Sequence, residues 1–283
     1  MKADLHVHSR YSDGSDYAEI VMKKASEHGV THISFVDHDT VKGLPEVMKL
    51  GEEYGIKVIP GIEISAYDFK RDRKVHILGY NYQPEAVHIQ KLCKPLLERR
   101  QKHSLWQIEQ IKDAGYALDV EAIKETAKPS ETIYKQHIMH HLTESVYTSP
   151  KYKQLYKSLF KGEGVASGDV EYIDAFEAVQ AILGDGGIAV VAHPGQLNSY
   201  DLIPELVEVG LSGIERNHFD HTNEDYLRVE ALAEKYDLVM TGGTDYHGLY
   251  GAAIEVGEIV SPSNLVDTFH LINEGTVNKV NSL

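Results

Sequence analysis

Short apolar runs alternate along this chain with longer segments whose apolar residues recur every three to four positions. The first pattern is that of buried strands, the second that of helices with one face turned inward. Residues 2–8 read as a strand and 16–28 as a helix, with Asp16 in the N-cap position and Gly29 as its stop. A strand at 31–36 runs into Asp37-His38-Asp39, and a helix at 44–54 is closed by Gly55. A strand at 56–64, with a bend expected at Pro60-Gly61, is followed by another at 74–80. Further on, helices at 174–183, 202–209 and 224–236 alternate with strands at 187–191, 213–216 and 238–241, and 265–273 reads as a last helix. This alternation predicts an α/β fold of βαβ units around a parallel sheet or barrel.

The rhythm breaks between 86 and 174. Residues 89–114 read as one long helix, with Leu92, Leu96, Leu97, Leu105, Trp106, Ile108 and Ile111 near helical spacing and Gly115 at its end. Helical pieces follow at 120–128, 134–145 and 151–160, then a loop marked by Gly162, Gly164 and Gly168. Residues 86–174 are expected to form a helical insertion into a discontinuous domain made of 1–85 and 175–283.

The polar residues between these runs carry the chemistry. In Asp4-Leu5-His6-Val7-His8 the two imidazoles are two residues apart on a strand, so they share a face. A turn at Ser12-Asp13-Gly14 can bring Asp13 back beside them. Strand-like stretches further on carry His38, Glu63, His76, His193, Asp245 and His247, mostly at their ends. In a barrel of parallel strands such ends meet at one mouth. Six imidazoles and three carboxylates exceed what one ion takes, about four to six donors, and mixed N/O sets suit zinc, manganese or iron. Two or three ions sharing a bridging carboxylate would use the whole set.

Charge sharpens this picture. The chain of 283 residues carries a formal net charge of -15, which argues against broad nonspecific binding to nucleic acid or anionic membrane. Residues 91–161, however, hold 13 basic and 8 acidic side chains, against 15 and 35 in the remainder. A basic segment on an acidic body suits an anionic substrate, or is a set of solvated helix faces. One cysteine, Cys93, excludes an internal disulfide and fits a reducing compartment. Without a recognisable signal peptide or an apolar run of membrane-spanning length, a cytoplasmic location is expected.

His6-Val7-His8, Ser12-Asp13-Gly14, Val36-Asp37-His38-Asp39, Pro60-Gly61-Ile62-Glu63, Val75-His76-Ile77-Leu78-Gly79-Tyr80, Ala192-His193-Pro194-Gly195 and Gly243-Thr244-Asp245-Tyr246-His247 together resemble the ordered motifs of PHP-domain (polymerase and histidinol phosphatase) phosphoesterases. The insertion resembles the branch containing nucleoside 3',5'-bisphosphate phosphatases and 5'-3' exonucleases of short oligonucleotides. The resemblance implies a distorted (β/α)7 barrel, the insertion capping its mouth, and two to three divalent ions of manganese, iron or zinc. It implies that His6, His8, Glu63 and Asp245 hold a first metal, Glu63, His76 and His193 a second with Glu63 bridging, and Asp13, His38 and His247 a third. Some members place a His where this chain has Asp13. A hydroxide held between metals near Glu63 and His38 would be the nucleophile. With three divalent ions and three carboxylates the mouth would be about +3, drawing in a phosphate despite the acidic body.

The expected substrate is a small phosphomonoester, a nucleotide or a short oligonucleotide end, with no membrane or protein partner implied. Ser12, Arg99, Arg100, Lys135, His137 and His218 are candidates to contact it. Arg99 and Arg100 read equally well as a solvated helix face, and Ser12 as a residue holding its turn. Related members often read Gly-Arg-Pro-His where this chain has Tyr134-Lys135-Gln136-His137; lysine keeps the charge of arginine but not its bidentate fork. Two other readings stand beside this one: a histidinol-phosphate or other small-molecule phosphatase, and a degenerate barrel serving as an interaction module.

Overall fold

Every side chain of strand β1 (Ala3–Val7) is buried, because the strand lies inside the molecule with partners on both edges. The computed structural model describes residues 1–262, so the helix expected at 265–273 lies outside the described residues. β1 pairs in parallel with β2 (His32–Phe35), and β2 with β3 (Lys57–Val58). The crossovers are α1 (Ala18–Glu27), burying Ala18, Val21, Met22 and Ala25, and α2 (Leu44–Tyr54), burying Leu44, Val47 and Leu50. Both sets follow the helical period, which is why these segments fold as helices against the sheet. Gly55 ends α2 in the left-handed region at φ 66°. Asp16 does not cap α1, which begins after Tyr17; its carboxylate instead accepts from the Tyr246 hydroxyl at 2.5 Å and faces Lys24.

The chain breaks at Pro60, as expected, and resumes in β4 (Gly61–Asp68). β5 (Arg73–Tyr80), β6 (Ile173–Asp174), β7 (Ile188–Val191), β8 (Gly213–Asn217) and β9 (Val239–Gly242) complete a second sheet in the order β6-β4-β5-β7-β8-β9. Isolated parallel bridges, Val7 with Tyr246 and His38 with Glu63, join the two sheets. There His8 N–H donates to Tyr246 O at 2.9 Å and Asp39 N–H to Glu63 O at 3.0 Å. Among the described residues seven staves result, namely β1, β2, β3 continued by β4, β5, β7, β8 and β9: a distorted (β/α)7 barrel. The barrel is not wholly parallel, because β5 runs antiparallel to both β4 and β7. Only residues 69–72 separate β4 from β5, which is enough for a hairpin and too little for a crossover.

Between β5 and β6 lie α3 (Val87–Asp113), α4 (Val120–Ala127), α5 (Lys135–His140) and α6 (Pro150–Phe160). α3 serves two apolar cores. Ile89, Cys93 and Leu96 join the barrel core, while Ile108 and Ile111 join Ile123, Ile138, Met139, Leu159 and Phe160 in a second cluster. α5 is shorter than the expected 134–145, turning out of the helix after His140. After β6, α7 (Ala175–Gly184) is capped by Asp174, whose carboxylate accepts from Phe176 N–H at 2.8 Å. α8 (Pro194–Leu197) and α9 (Ile203–Val207) are short, and α10 (Asn223–Tyr236) starts on a capping box of Thr222 and Asp225, a motif contributing about 1 kcal/mol.

Candidate metal centre

The backbone brings the nine predicted ligands to one end of the barrel. His6 and His8 stand side by side with ring centroids 5.3 Å apart. The turn after them is held by Asp37, which accepts from Ser9 N–H, Ser9 Oγ–H and Ser12 Oγ–H at 2.7–2.8 Å. Gly14 packs so closely that a Cβ would meet the Ser9 backbone at 2.9 Å, and this close packing returns Asp13 toward His8. Glu63 and His76 lie within β4 and β5 rather than at strand ends. The antiparallel course of β5 is what puts an early strand residue at the mouth. His193 and Asp245 follow β7 and β9 with φ of 22° and 49°; such backbone strain in non-glycine residues gathers where surrounding structure holds functional side chains.

Glu63 is the centre of the arrangement. Its Oε2 lies 3.3 Å from His6 Nε2 and 3.1 Å from His8 Nε2, and its Oε1 lies 2.8 Å from His76 Nδ1 and 2.9 Å from His193 Nε2. One oxygen thus faces each of two donor groups, the geometry a bridging carboxylate needs. Asp245 Oδ1 completes the first group at 3.2 Å from both His6 Nε2 and His8 Nε2. In another group Asp13 Oδ1 is 3.3 Å from His247 Nε2, and Asp13 Oδ2 is 4.0 Å from His38 Nε2. His247 Nδ1 donates to the Asp245 carbonyl at 2.9 Å, leaving its lone pair on Nε2. Donor atoms fall within 4.8 Å of one another in three sets: His6-His8-Glu63-Asp245, His8-Asp13-His38-His247 and His38-Glu63-His76.

Whether these residues fit a metal is tested by their unmet bonding. Both ring nitrogens of His8, Nδ1 of His38 and His193, and Asp13 Oδ1 are buried without hydrogen-bond partners among the described residues. Buried polar atoms are ordinarily paired, so their concentration at one point, with mixed nitrogen and oxygen donors, fits divalent metal. Electrostatics agree. Burial disfavours charge on His6, yet Glu215, Asp245 and Glu63 outweigh it and hold the ring well above its ordinary range. Burial likewise opposes charging His8, but Asp245 and Glu63 push it up to about 10. Glu63 and Asp245 are held well below the carboxylate range, burial notwithstanding, by the imidazoles around them. Burial, aided by His8 and His76, lowers His38 to about 4, leaving it neutral.

A cavity of about 350 Å³ opens beside this cluster, lined by Asp13, His38 and His76 together with Lys74, Arg100, Lys135 and Lys161. The predicted substrate residues divide here. Lys135 is half-buried at the wall; burial, with Lys74, Lys161 and Arg100 nearby, lowers it to about 8, and Nζ has no ion-pair partner among the described residues. Arg100 also lines the cavity, but Nη2 donates to Asp39 Oδ2 at 2.6 Å and Ser65 Oγ at 3.0 Å. Arg99 lies outside this lining and donates to Glu171 O at 3.0 Å. Ser12 is committed to Asp37. His218 Nδ1 accepts from Asp220 N–H, so its Nε2 carries the proton toward Asp245 Oδ2 at 3.2 Å. His137 is buried with Nδ1 accepting from Tyr134 N–H at 3.1 Å, and burial lowers it to about 4.

Several residues in the surrounding shell escape the sequence reading. Glu215 accepts from His6 Nδ1 at 2.9 Å and from His193 N–H at 2.8 Å, orienting two candidate ligands. Its signal was a carboxylate inside a short buried strand, Gly213-Ile214-Glu215. Asp4 accepts from Thr244 N–H, Thr244 Oγ–H and Gly257 N–H, clamping the loop that carries Asp245. Gly243 in that loop is obligatory, since a Cβ would meet His6 N at 2.4 Å. Lys74 and Lys161 had no signal beyond their charge.

Fold and centre together define the class, a metal-dependent phosphoesterase. The model of the PHP domain matches residues 4–182; the chain belongs to the PHP family and is a phosphoric ester hydrolase. It is 51% identical over 257 residues to a phosphoribosyl 1,2-cyclic phosphate 1,2-diphosphodiesterase of Eggerthella lenta, covering 91% of this chain and 98% of that one. It is 28% identical to a 3',5'-nucleoside bisphosphate phosphatase of Chromobacterium violaceum, covering 90% of each. A solved structure from Bifidobacterium adolescentis, described as a metal-dependent phosphoesterase, matches with a TM-score of 0.86 at 25% identity over 95% of this chain and 96% of that one. No helix among the described residues is long and apolar enough to cross a membrane.

Proposed function

We propose that the chain hydrolyses a small ribose derivative carrying two phosphate groups, a phosphoribosyl cyclic phosphate, at the centre built on Glu63. The observation that carries this reading is one cavity lined both by candidate ligands, Asp13, His38 and His76, and by the basic side chains Lys74, Arg100, Lys135 and Lys161. A substrate with a phosphate at each end spans it. The 51% identical relative, named for such a substrate, supports the assignment. His6, His8, Glu63 and Asp245 would hold one ion, Glu63, His76 and His193 a second, and Asp13, His38 and His247 a third. Divalent metal, when bound, supplies activated water and neutralises phosphoryl charge. Lys135 and Lys161 hold the distant phosphate, and Tyr134 walls the ribose between them. A water oxygen joins phosphorus, the bond from phosphorus to one ribose oxygen breaks and that oxygen takes up the proton the water gives up, which opens the ring; a second water repeats the step on the remaining ester bond and frees phosphate. The insertion at 86–174, supplying Arg100, Lys135 and Lys161, is in this reading the unit that selects substrate.

A second reading, a nucleoside 3',5'-bisphosphate or a short oligonucleotide end, draws on Tyr156 and Tyr172, aromatic residues that line the same cavity and against which a base could pack. Phosphate release and 31P spectra decide between them, using Mn2+-loaded protein with phosphoribosyl 1,2-cyclic phosphate, a nucleoside 3',5'-bisphosphate, histidinol phosphate and an aryl phosphate. The cyclic substrate is expected to lead in kcat/KM by about tenfold or more, as the added contacts to a second phosphate imply. A nucleotide or histidinol phosphate in first place would replace this reading.

A further inference from the structure

Asp13 meets different groups with its two oxygens. Oδ2 accepts from the side-chain amide of Gln136 at 2.8 Å. Oδ1 is buried without a hydrogen-bond partner among the described residues, 3.3 Å from His247 Nε2 and 3.9 Å from His8 Nδ1. Gln136 sits in the first turn of α5, on the insertion, 123 residues away in sequence. The residue capping that turn reaches the same donor group, since the Tyr134 hydroxyl donates to the His38 carbonyl at 3.0 Å. A free carboxylate rotates and can offer either oxygen or both to an ion. Here the amide occupies one oxygen and aims the other at His247.

We propose that Gln136 is a positioning residue that holds Asp13 as a one-oxygen ligand, so that α5 and an ion at Asp13, His38 and His247 are bound as one unit. The inference rests on Asp13 being a ligand. Partners that orient a ligand typically change metal affinity by about 10–100-fold when removed. The insertion therefore does more than wall the cavity: displacing α5 loosens the ion, and an ion there steadies α5.

The test is calorimetric titration of chelator-stripped full-length protein with Mn2+, with elemental analysis after desalting. Asp13→Ala should lose one equivalent relative to wild type. Gln136→Met, similar in size and without an amide, should keep every equivalent but weaken that same one by about tenfold or more, with the others unchanged. In an Asp13→Ala background, Gln136→Met should change nothing further. Gln136→Asn, too short to reach, should weaken that equivalent to the same degree; it serves if the Met variant fails to match wild type by circular dichroism. Wild-type binding by Gln136→Met or Gln136→Asn, with the equivalent gone in Asp13→Ala, would overturn the proposal. Retention of all equivalents by Asp13→Ala would refute Asp13 as a ligand, and the proposal with it.

Discussion

In the barrel's donor cluster, Glu63 alone touches His6, His8, His76 and His193 within 3.3 Å, and buried donor atoms of His8, Asp13, His38 and His193 have no hydrogen-bond partner among the described residues. Around the cavity, Arg100 is neutralised by Asp39 and Lys74, on β5, by Asp169, while Lys135 and Lys161, from the segment between β5 and β6, have no ion-pair partner among the described residues. The donor cluster is crowded with groups that suit a cation; the basic lining is partly neutralised, and its two lysines without ion-pair partners among the described residues suit an anion. Strands fixed on both edges aim side chains closely, which suits metal geometry. Long lysine side chains on short helices and loops adapt to a ligand's outline, which suits selection among phosphates.

The largest expected effect falls on the donor cluster. Glu63→Gln keeps the shape but loses the charge that both donor groups share, and an amide is a poor bridge. Hydrolysis should fall by about a thousandfold or more for every substrate, with the circular dichroism spectrum unchanged. A selective loss, large for one phosphate ester and small for another, would mean that Glu63 reads substrate instead of serving the reaction.

This contrast also governs how much was legible in the sequence. The barrel residues were readable because each stands in a short motif next to a strand, where local geometry already dictates direction. The nine candidate side chains lie together at one end of the barrel, whereas the reversal of β5 has no local signal, since it depends on a short hairpin whose first arm outlasts the expected strand. The basic lining was hardly readable. That Arg100 pairs with Asp39 across 61 positions, or Gln136 with Asp13 across 123, is a property of packing that no local pattern announces. Breaking the Arg100 pair by removing one partner would leave a buried charge, a cost of about 3–5 kcal/mol, so its structural share obscures any part in binding.

A smaller effect concerns protons. In the metal-free protein the surrounding carboxylates, overcoming burial, keep His8 protonated until about pH 10 and raise His247 as well. Ligation needs the neutral ring. Metal uptake near neutral pH must therefore expel protons, and affinity must rise with pH, by about tenfold per unit for each proton released. Calorimetry of Mn2+ binding in buffers of differing ionisation enthalpy should show at least one proton leaving per ion at this group. Binding that is indifferent to buffer and pH would place the ion elsewhere.

The division of labour between donor cluster and basic lining is tested most directly by Lys135→Ala assayed on two substrates. Lys135 lines the cavity, has no ion-pair partner among the described residues and shares no hydrogen bond with the candidate ligands there. For phosphoribosyl 1,2-cyclic phosphate, kcat/KM should fall by about tenfold or more, the size of a lost charge-assisted hydrogen bond. An aryl phosphate, with no second group to hold, should lose about threefold at most on the same reasoning. Equal losses on both substrates, or no loss on either, would contradict the account.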